Sequence, residues 1–242
     1  MTPAKRPPAA DLSAPVEDYL KAIYALERDG TSAATNEIAS RLEIAPASVS
    51  GMVRRLADQG LVMHEPYRGV RLTDAGRSNA LRLLRRHRIL ECYLTQVLDY
   101  PWDGVHDEAE RLEHAASDAL IERMAAALGH PTVDPHGAPI PTADGVVHER
   151  RHRSLVELAV GARGVVAQVT DEDPEFLRYL GGLGLTPGAA VMIAAKEPFD
   201  GPLTIVVGAC ERVIGTFAAA RVFVTETIAG RSGPRATPPQ PS

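Results

Sequence analysis

The chain has 242 residues, room for two compact units, and its 45% hydrophobic and 24% charged residues exclude a mainly disordered or collagen-like molecule. Its longest apolar run, Ala189–Ala195, falls far short of the roughly 20 residues that cross a bilayer, and no apolar stretch follows Lys5 and Arg6 as a secretory signal requires. Cys92 and Cys210 are the only cysteines, which excludes a disulfide framework and a thiolate metal cage, and the net charge of −5 excludes a uniformly basic surface. A soluble cytoplasmic chain with no membrane partner is expected.

Residues 1–12 are rich in Pro and Ala and read as a disordered tail. From there to Leu128 the pattern is helical. Thr35 or Asn36 can cap a helix carrying Ile38, Ala39 and Leu42, Glu43-Ile44-Ala45 breaks it, and Pro46 suits the first turn of the next. In that second helix Val49, Met52, Val53 and Leu56 form one buried stripe. Ala47, Ser48, Ser50, Gly51 and Arg54 fall off it, near the helix start, where a helix-turn-helix protein meets the major groove. Two short strands around Arg68-Gly69 then form a wing, with Arg68 at its tip able to reach phosphate. Residues 54–88 hold nine basic against three acidic side chains, a local excess that attracts DNA whatever the global sum. For residues 82–88 alone, a solvated helix face is the simpler reading.

Downstream, His106-Asp107-Glu108-Ala109-Glu110-Arg111-Leu112-Glu113-His114 places Glu110, Glu113 and His114 on one helix face, with His106 one turn earlier. Two carboxylates and an imidazole crowded together suit a divalent cation, although a solvated acidic helix has the same pattern. His87 and Glu91 form another i, i+4 pair. Neither run is the HExxH of a metallohydrolase. Between Gly129 and Gly145, four prolines and three glycines mark a linker. Beyond it, Gly164–Val169, Ala190–Ala195, Leu203–Val207 and Arg221–Thr225 read as strands separated by turns, four or five in all, as in a small barrel. The tail from Arg231 reads as disordered.

Several of these segments agree in order with one known family. Glu17-Asp18-Tyr19-Leu20-Lys21-Ala22-Ile23-Tyr24, the helix-turn-helix and wing, Arg86–Glu91 and Val105–His114 together resemble the diphtheria-toxin-repressor and manganese-transport-regulator family, metal-activated transcriptional repressors. The resemblance runs from about Leu12 to Leu128. The linker ending in Gly137–Pro141 fits it too, and Gly164–Thr225 resembles the family's SH3-like domain. It implies a fold that is mainly α with a small all-β domain: a winged helix-turn-helix at 13–76, a helical metal-binding and dimerisation domain with its linker at 77–145, an SH3-like barrel at 154–228, and a tail from 229.

It also implies two ions per subunit. One site would comprise Asp18, Glu110, Glu113 and His114; the other His87, Glu91 and His106, joined by Glu172 and Glu175 from the C-terminal domain. Met and Cys stand in the iron-responsive branch where this chain has Asp18 and Glu110, which favours Mn²⁺ over Fe²⁺, with iron kept as the alternative. Lys21 stands where the small manganese regulators carry a Glu that binds a second ion, so their closely spaced pair of ions is not expected. Gly51 and Ala45 replace polar side chains of relatives, so no operator sequence transfers.

The expected protein is no enzyme. It is a homodimeric, Mn²⁺-activated repressor of metal-homeostasis genes that binds a palindromic double-stranded operator and takes no small-molecule substrate. A metallohydrolase would use the ligands but leave residues 35–72 idle. A metal-independent winged regulator would leave the acidic helix unexplained.

Overall fold

A computed structural model of the chain describes residues 12–27, 31–65, 69–148, 151–170 and 173–226. The chain divides into two compact units, Met1–Asp134 with Pro139–Glu149, and Pro135–Ala138 with Arg150–Ser242. No helix among the described residues is long and apolar enough to cross a membrane.

The first unit opens with α1 (Ala14–Leu26), α2 (Thr35–Arg41) and α3 (Pro46–Asp58), followed by the antiparallel pair β1 (Val62–Glu65) and β2 (Gly69–Leu72). Leu20 and Ile23 of α1, Ile38 of α2 and Leu56 of α3 are fully buried together with Val49 and Val70. Each such side chain contributes about 1.5–3 kcal/mol. The α2 helix starts a residue earlier than expected: Ala34 holds the cap position, and its N–H donates to Glu37 Oε2 at 3.0 Å, so Thr35 is already inside the helix. Glu43, at φ 53°, turns the chain between α2 and α3. The wing is anchored from below, because Glu27 accepts from the Leu72 N–H at 2.5 Å and pairs with Arg77. Arg68, expected at the wing tip, lies outside the described residues.

The long helix α4 (Asp74–Leu98) starts directly after the wing, capped by the Thr73 hydroxyl, which accepts from the Gly76 N–H at 3.1 Å. Helices α5 (Val105–Glu113) and α6 (Asp118–Ala127) pack against it around Ile89, Leu90, Cys92, Leu94, Ala109 and Ile121. Residues 82–88 do not form a solvated basic face. Arg82 and Arg86 pair with Asp118 and Arg85 with Glu122, and Arg85 and Arg88 donate to the carbonyls of Pro141 and Pro139. The positive charge of this stretch is spent on holding α6 and the proline-rich strap against α4.

In the second unit β3 (Arg153–Ser154), β4 (Arg163–Val169), β5 (Ala190–Lys196), β6 (Leu203–Val207), β7 (Cys210–Ile214) and β8 (Val222–Glu226) form one antiparallel sheet in the order β3-β8-β4-β5-β6-β7. Two of these strands escape the sequence pattern: β3 is two residues long, and β7 is a sheet edge exposed at every position but Ile214, so neither alternates. Two short helices, α7 (Pro174–Gly182) and α8 (Thr216–Ala219), are set into the sheet connections. Asp173 caps α7 by accepting from the Glu175 and Phe176 N–H groups, and Leu177 and Leu180 anchor it.

Candidate metal centre

Three helices of the first unit supply the centre, each through its own period. On α1, Asp18 and Lys21 lie one turn apart. His87 and Glu91 lie one turn apart on α4, and His106, Glu110 and Glu113 follow each other along one face of α5, with His114 capping its end. Val105 and Ala109 bury the adjoining α5 stripe and carry Glu113 with them into the interior, where it has no exposed surface.

The side chains of Asp18, Glu110, Glu113 and His114 each offer a ligand atom within 4.8 Å of all the others. His114 Nε2 is 2.9 Å from Asp18 Oδ1 and 3.7 Å from Glu113 Oε1. A second grouping joins His87, His106 and Glu110 at the same spacing. Glu91 stands beside it, its Oε1 3.1 Å from His87 Nε2 and 3.4 Å from His106 Nδ1. The two groupings touch, since Glu110 belongs to both and Glu113 Oε2 lies 2.6 Å from His87 Nδ1. Of the two acidic residues expected from the C-terminal part, Glu172 lies outside the described residues. Glu175 is exposed in the first turn of α7.

Glu17 was not foreseen as a neighbour of the centre, and Lys21, expected only to bar a closely spaced second ion, is a direct partner of its carboxylates. Glu17 Oε2 is 2.7 Å from His114 Nδ1, the carboxylate–imidazole contact that fixes which ring nitrogen faces a metal, and Arg86 lies 3.6 Å from the same carboxylate. Lys21 Nζ sits 2.6 Å from Glu110 Oε1 and 3.0 Å from both Glu113 oxygens. Glu17 directly precedes Asp18, but only the fold brings it to a residue 97 positions away.

Charge crowding is written into the titration of these groups. Burial raises the Asp18 carboxyl above its ordinary value; His114 and Lys21 oppose this, while Glu110 and Glu113 add to it. For His87, burial disfavours the imidazolium, yet the hydrogen bonds to Glu113 and Glu91 outweigh it and push the group up to about 9. His114 is likewise raised: burial opposes its charge, and the Glu17 contact with the Asp18 and Glu113 charges prevails. Glu110 is lowered because Lys21, His87 and His106 overcome its burial. Mutually repelling carboxylates held at ligand spacing suit a divalent cation, whose binding releases protons from such imidazoles.

The donors are carboxylate oxygen and imidazole nitrogen, which fits Mn²⁺ or Fe²⁺ better than a soft ion. Sulfur takes no part. Cys92 is buried, its Sγ directed at the Val133 carbonyl, and burial with the Asp134 and Glu91 charges pushes its thiol up to about 12. Iodoacetamide on the native chain is accordingly expected to modify exposed Cys210 and spare Cys92. Peptide mass spectrometry reads this directly, and rapid alkylation of Cys92 would contradict the packing of α4 described above.

On the surface, α3 exposes Ala47, Ser48, Ser50, Gly51, Arg54 and Arg55 while burying Val49, Val53 and Leu56. Its start has Pro46, which carries no N–H, and no side-chain cap on Ala45, whose carbonyl accepts from the Ser48 and Val49 N–H groups. Away from that surface, Val97, Leu98, Leu112 and Leu120 are exposed apolar side chains of α4, α5 and α6. Leu90, Leu94 and Ala116, equally apolar in the sequence, are core.

Three family models match consecutive segments: the iron dependent repressor N-terminal DNA binding domain over residues 11–70, the iron dependent repressor metal binding and dimerisation domain over 73–142, and the FeoA domain over 153–226. The chain is 34% identical over 212 residues to the iron-dependent repressor IdeR of Mycobacterium tuberculosis, covering 81% of this chain and 90% of that protein. It is 37% identical over 210 residues to the diphtheria toxin repressor of Corynebacterium jeikeium, covering 77% and 88%. Among solved structures, a manganese-dependent transcriptional repressor in complex with manganese is similar at 40% identity and a TM-score of 0.81, over 88% of this chain and all of that one. ScaR with bound Zn²⁺ is similar at 29% identity and a TM-score of 0.75, over 88% of this chain and 99% of that one.

Proposed function

The chain belongs to the iron-dependent repressor family of metal-dependent transcriptional repressors, and from that premise we propose that its own activating ion is Mn²⁺, bound by Asp18, Glu110, Glu113 and His114. It is a DNA-binding protein that dimerises, not an enzyme. One observation carries the assignment: Asp18, on the helix that packs under the DNA-reading part, shares a 4.8 Å cluster with three ligand groups of α5. An ion at that point supplies the positive charge that lets these groups stay together. Asp18 thereby ties α1 to α5, and the angle of α3 follows from α1.

A second ion is assigned to His87, Glu91 and His106, for which the inter-histidine contact of 3.1 Å is the support. The C-terminal part from 154 to 228 is taken as the SH3-like domain, on which Glu175 is exposed. The reader is 13–76, with Ala47, Ser48, Ser50, Gly51, Arg54 and Arg68 facing DNA, and 77–145 pairs the subunits through the apolar side chains of α4, α5 and α6. Two such readers at fixed spacing suit a palindromic operator of metal-homeostasis genes in the cytoplasm. Iron is the second reading, favoured by the iron-dependent repressor of M. tuberculosis named above.

A duplex selected from a random pool in the presence of the protein, titrated separately with Mn²⁺, Fe²⁺ and Zn²⁺ under anaerobic conditions, distinguishes these. Retention at the lowest free Mn²⁺ is expected. Retention driven first by Fe²⁺ would replace manganese by iron, and retention indifferent to metal would end the proposal.

A further inference from the structure

Lys21 carries a positive charge in the middle of the groups assigned to the ion. Its side chain is 14% exposed, and its Nζ meets Glu110 Oε1, both oxygens of Glu113 and, at 3.3 Å, His87 Nδ1. An ammonium group offers three N–H donors and no lone pair, so here it can only satisfy acceptors, never ligate. A divalent ion held by Glu110 and Glu113 needs those same oxygen lone pairs, and a like charge a few ångström away repels it.

We propose that Lys21 is the resident cation of the metal-free centre, so that a divalent ion enters in competition with its ammonium group and Lys21 sets the metal concentration at which the protein responds. This rests on Asp18, Glu110, Glu113 and His114 being the ligands. The position on α1 makes the competition consequential. Lys21 and Asp18 lie one turn apart on the same helix, so without metal α1 is held to α5 through Lys21 on Glu110 and Glu113 as well as through the Asp18 and Glu17 contacts to His114, and an entering ion displaces the first of these. Removing the ammonium leaves Glu110 and Glu113 with only the neighbouring imidazoles as partners, which weakens the metal-free state and favours the loaded one.

Calorimetric titration of metal-stripped full-length protein with MnCl₂ tests this. K21M and K21Q are each expected to bind at least about tenfold more tightly than wild type, the scale of removing a like charge beside a partly buried ion. Either variant, shown folded by circular dichroism, binding no more tightly than wild type overturns the proposal. A second measurement needs no variant: acetylation of wild type with acetic anhydride, followed by mass spectrometry. MnCl₂ is expected to speed modification of Lys21 relative to Lys5 and Lys196, the other lysines of the chain. An unchanged Lys21 rate overturns the competition. A wild-type chain that takes up no divalent ion overturns the ligand assignment, and this proposal with it; one that binds Mn²⁺ while both variants bind no better overturns this proposal alone.

Discussion

Asp18→Ala is expected to leave the fold intact while abolishing metal-dependent operator binding. Asp18 is half-buried near the start of α1, its Oδ1 2.9 Å from His114 Nε2, and it is not part of the apolar core that Leu20 and Ile23 help to build. Burial already disfavours its charge, and Glu110 and Glu113 repel it, so its removal costs the metal-free chain little. The loss falls on coupling. Coupling free energies between sites are typically about 1–3 kcal/mol, and the roughly 5- to 150-fold gain in operator affinity that metal produces should vanish. Glu110, Glu113 and His114 remain on α5, so the variant can still take up an ion, weakly, without passing the information to α1. Fluorescence anisotropy of a selected duplex with and without Mn²⁺, together with thermal melts in a chelator, separates the two effects. A full Mn²⁺ response in the variant would sink the coupling; a collapsed melt would make Asp18 a structural residue.

Gly76→Ala is expected to destabilise the first unit by about 3 kcal/mol, against the usual direction of a Gly-to-Ala change within a helix. A Cβ at Gly76 would lie 2.0 Å from the Leu61 carbonyl oxygen and 3.2 Å from Leu72 Cδ2. That carbonyl cannot yield cheaply, since it accepts from the Thr73 N–H at 3.0 Å and the Thr73 hydroxyl at 3.1 Å while the same hydroxyl caps α4. The added methyl must push the base of the wing away from the start of α4. Gly51 is the internal control, for an added Cβ there meets nothing within 4 Å, and Gly51→Ala should stabilise α3 by up to about 1 kcal/mol. Urea denaturation of both variants checks the opposite signs. Equal effects would mean that the α4–wing approach is looser than described.

Local pattern carried much of this molecule. The stripe of Val49, Val53 and Leu56 announced α3 and, by exclusion, its exposed face. The spacing of Glu110, Glu113 and His114 announced the close grouping that they form at the end of α5. Where alternation failed, so did the reading: β7 has only Ile214 buried, and α7 follows an Asp-Pro start in a region read as strand and loop. The arginines of 82–88 misled for a related reason. A basic residue looks the same in sequence whether it faces phosphate or Asp118, and the partners stand 32–37 residues away.

What the amino-acid order determined by itself is what depends on neighbours within a turn: helices, the wing and the crowding of carboxylates and imidazoles along α5. Contacts of 89 to 97 residues' separation were decided only by the tertiary structure, which brought Lys21 to Glu110 and Glu17 to His114. Periodicity states which way a side chain points from its own helix, whereas the charge it meets there is set by the packing of α1, α4 and α5 against one another.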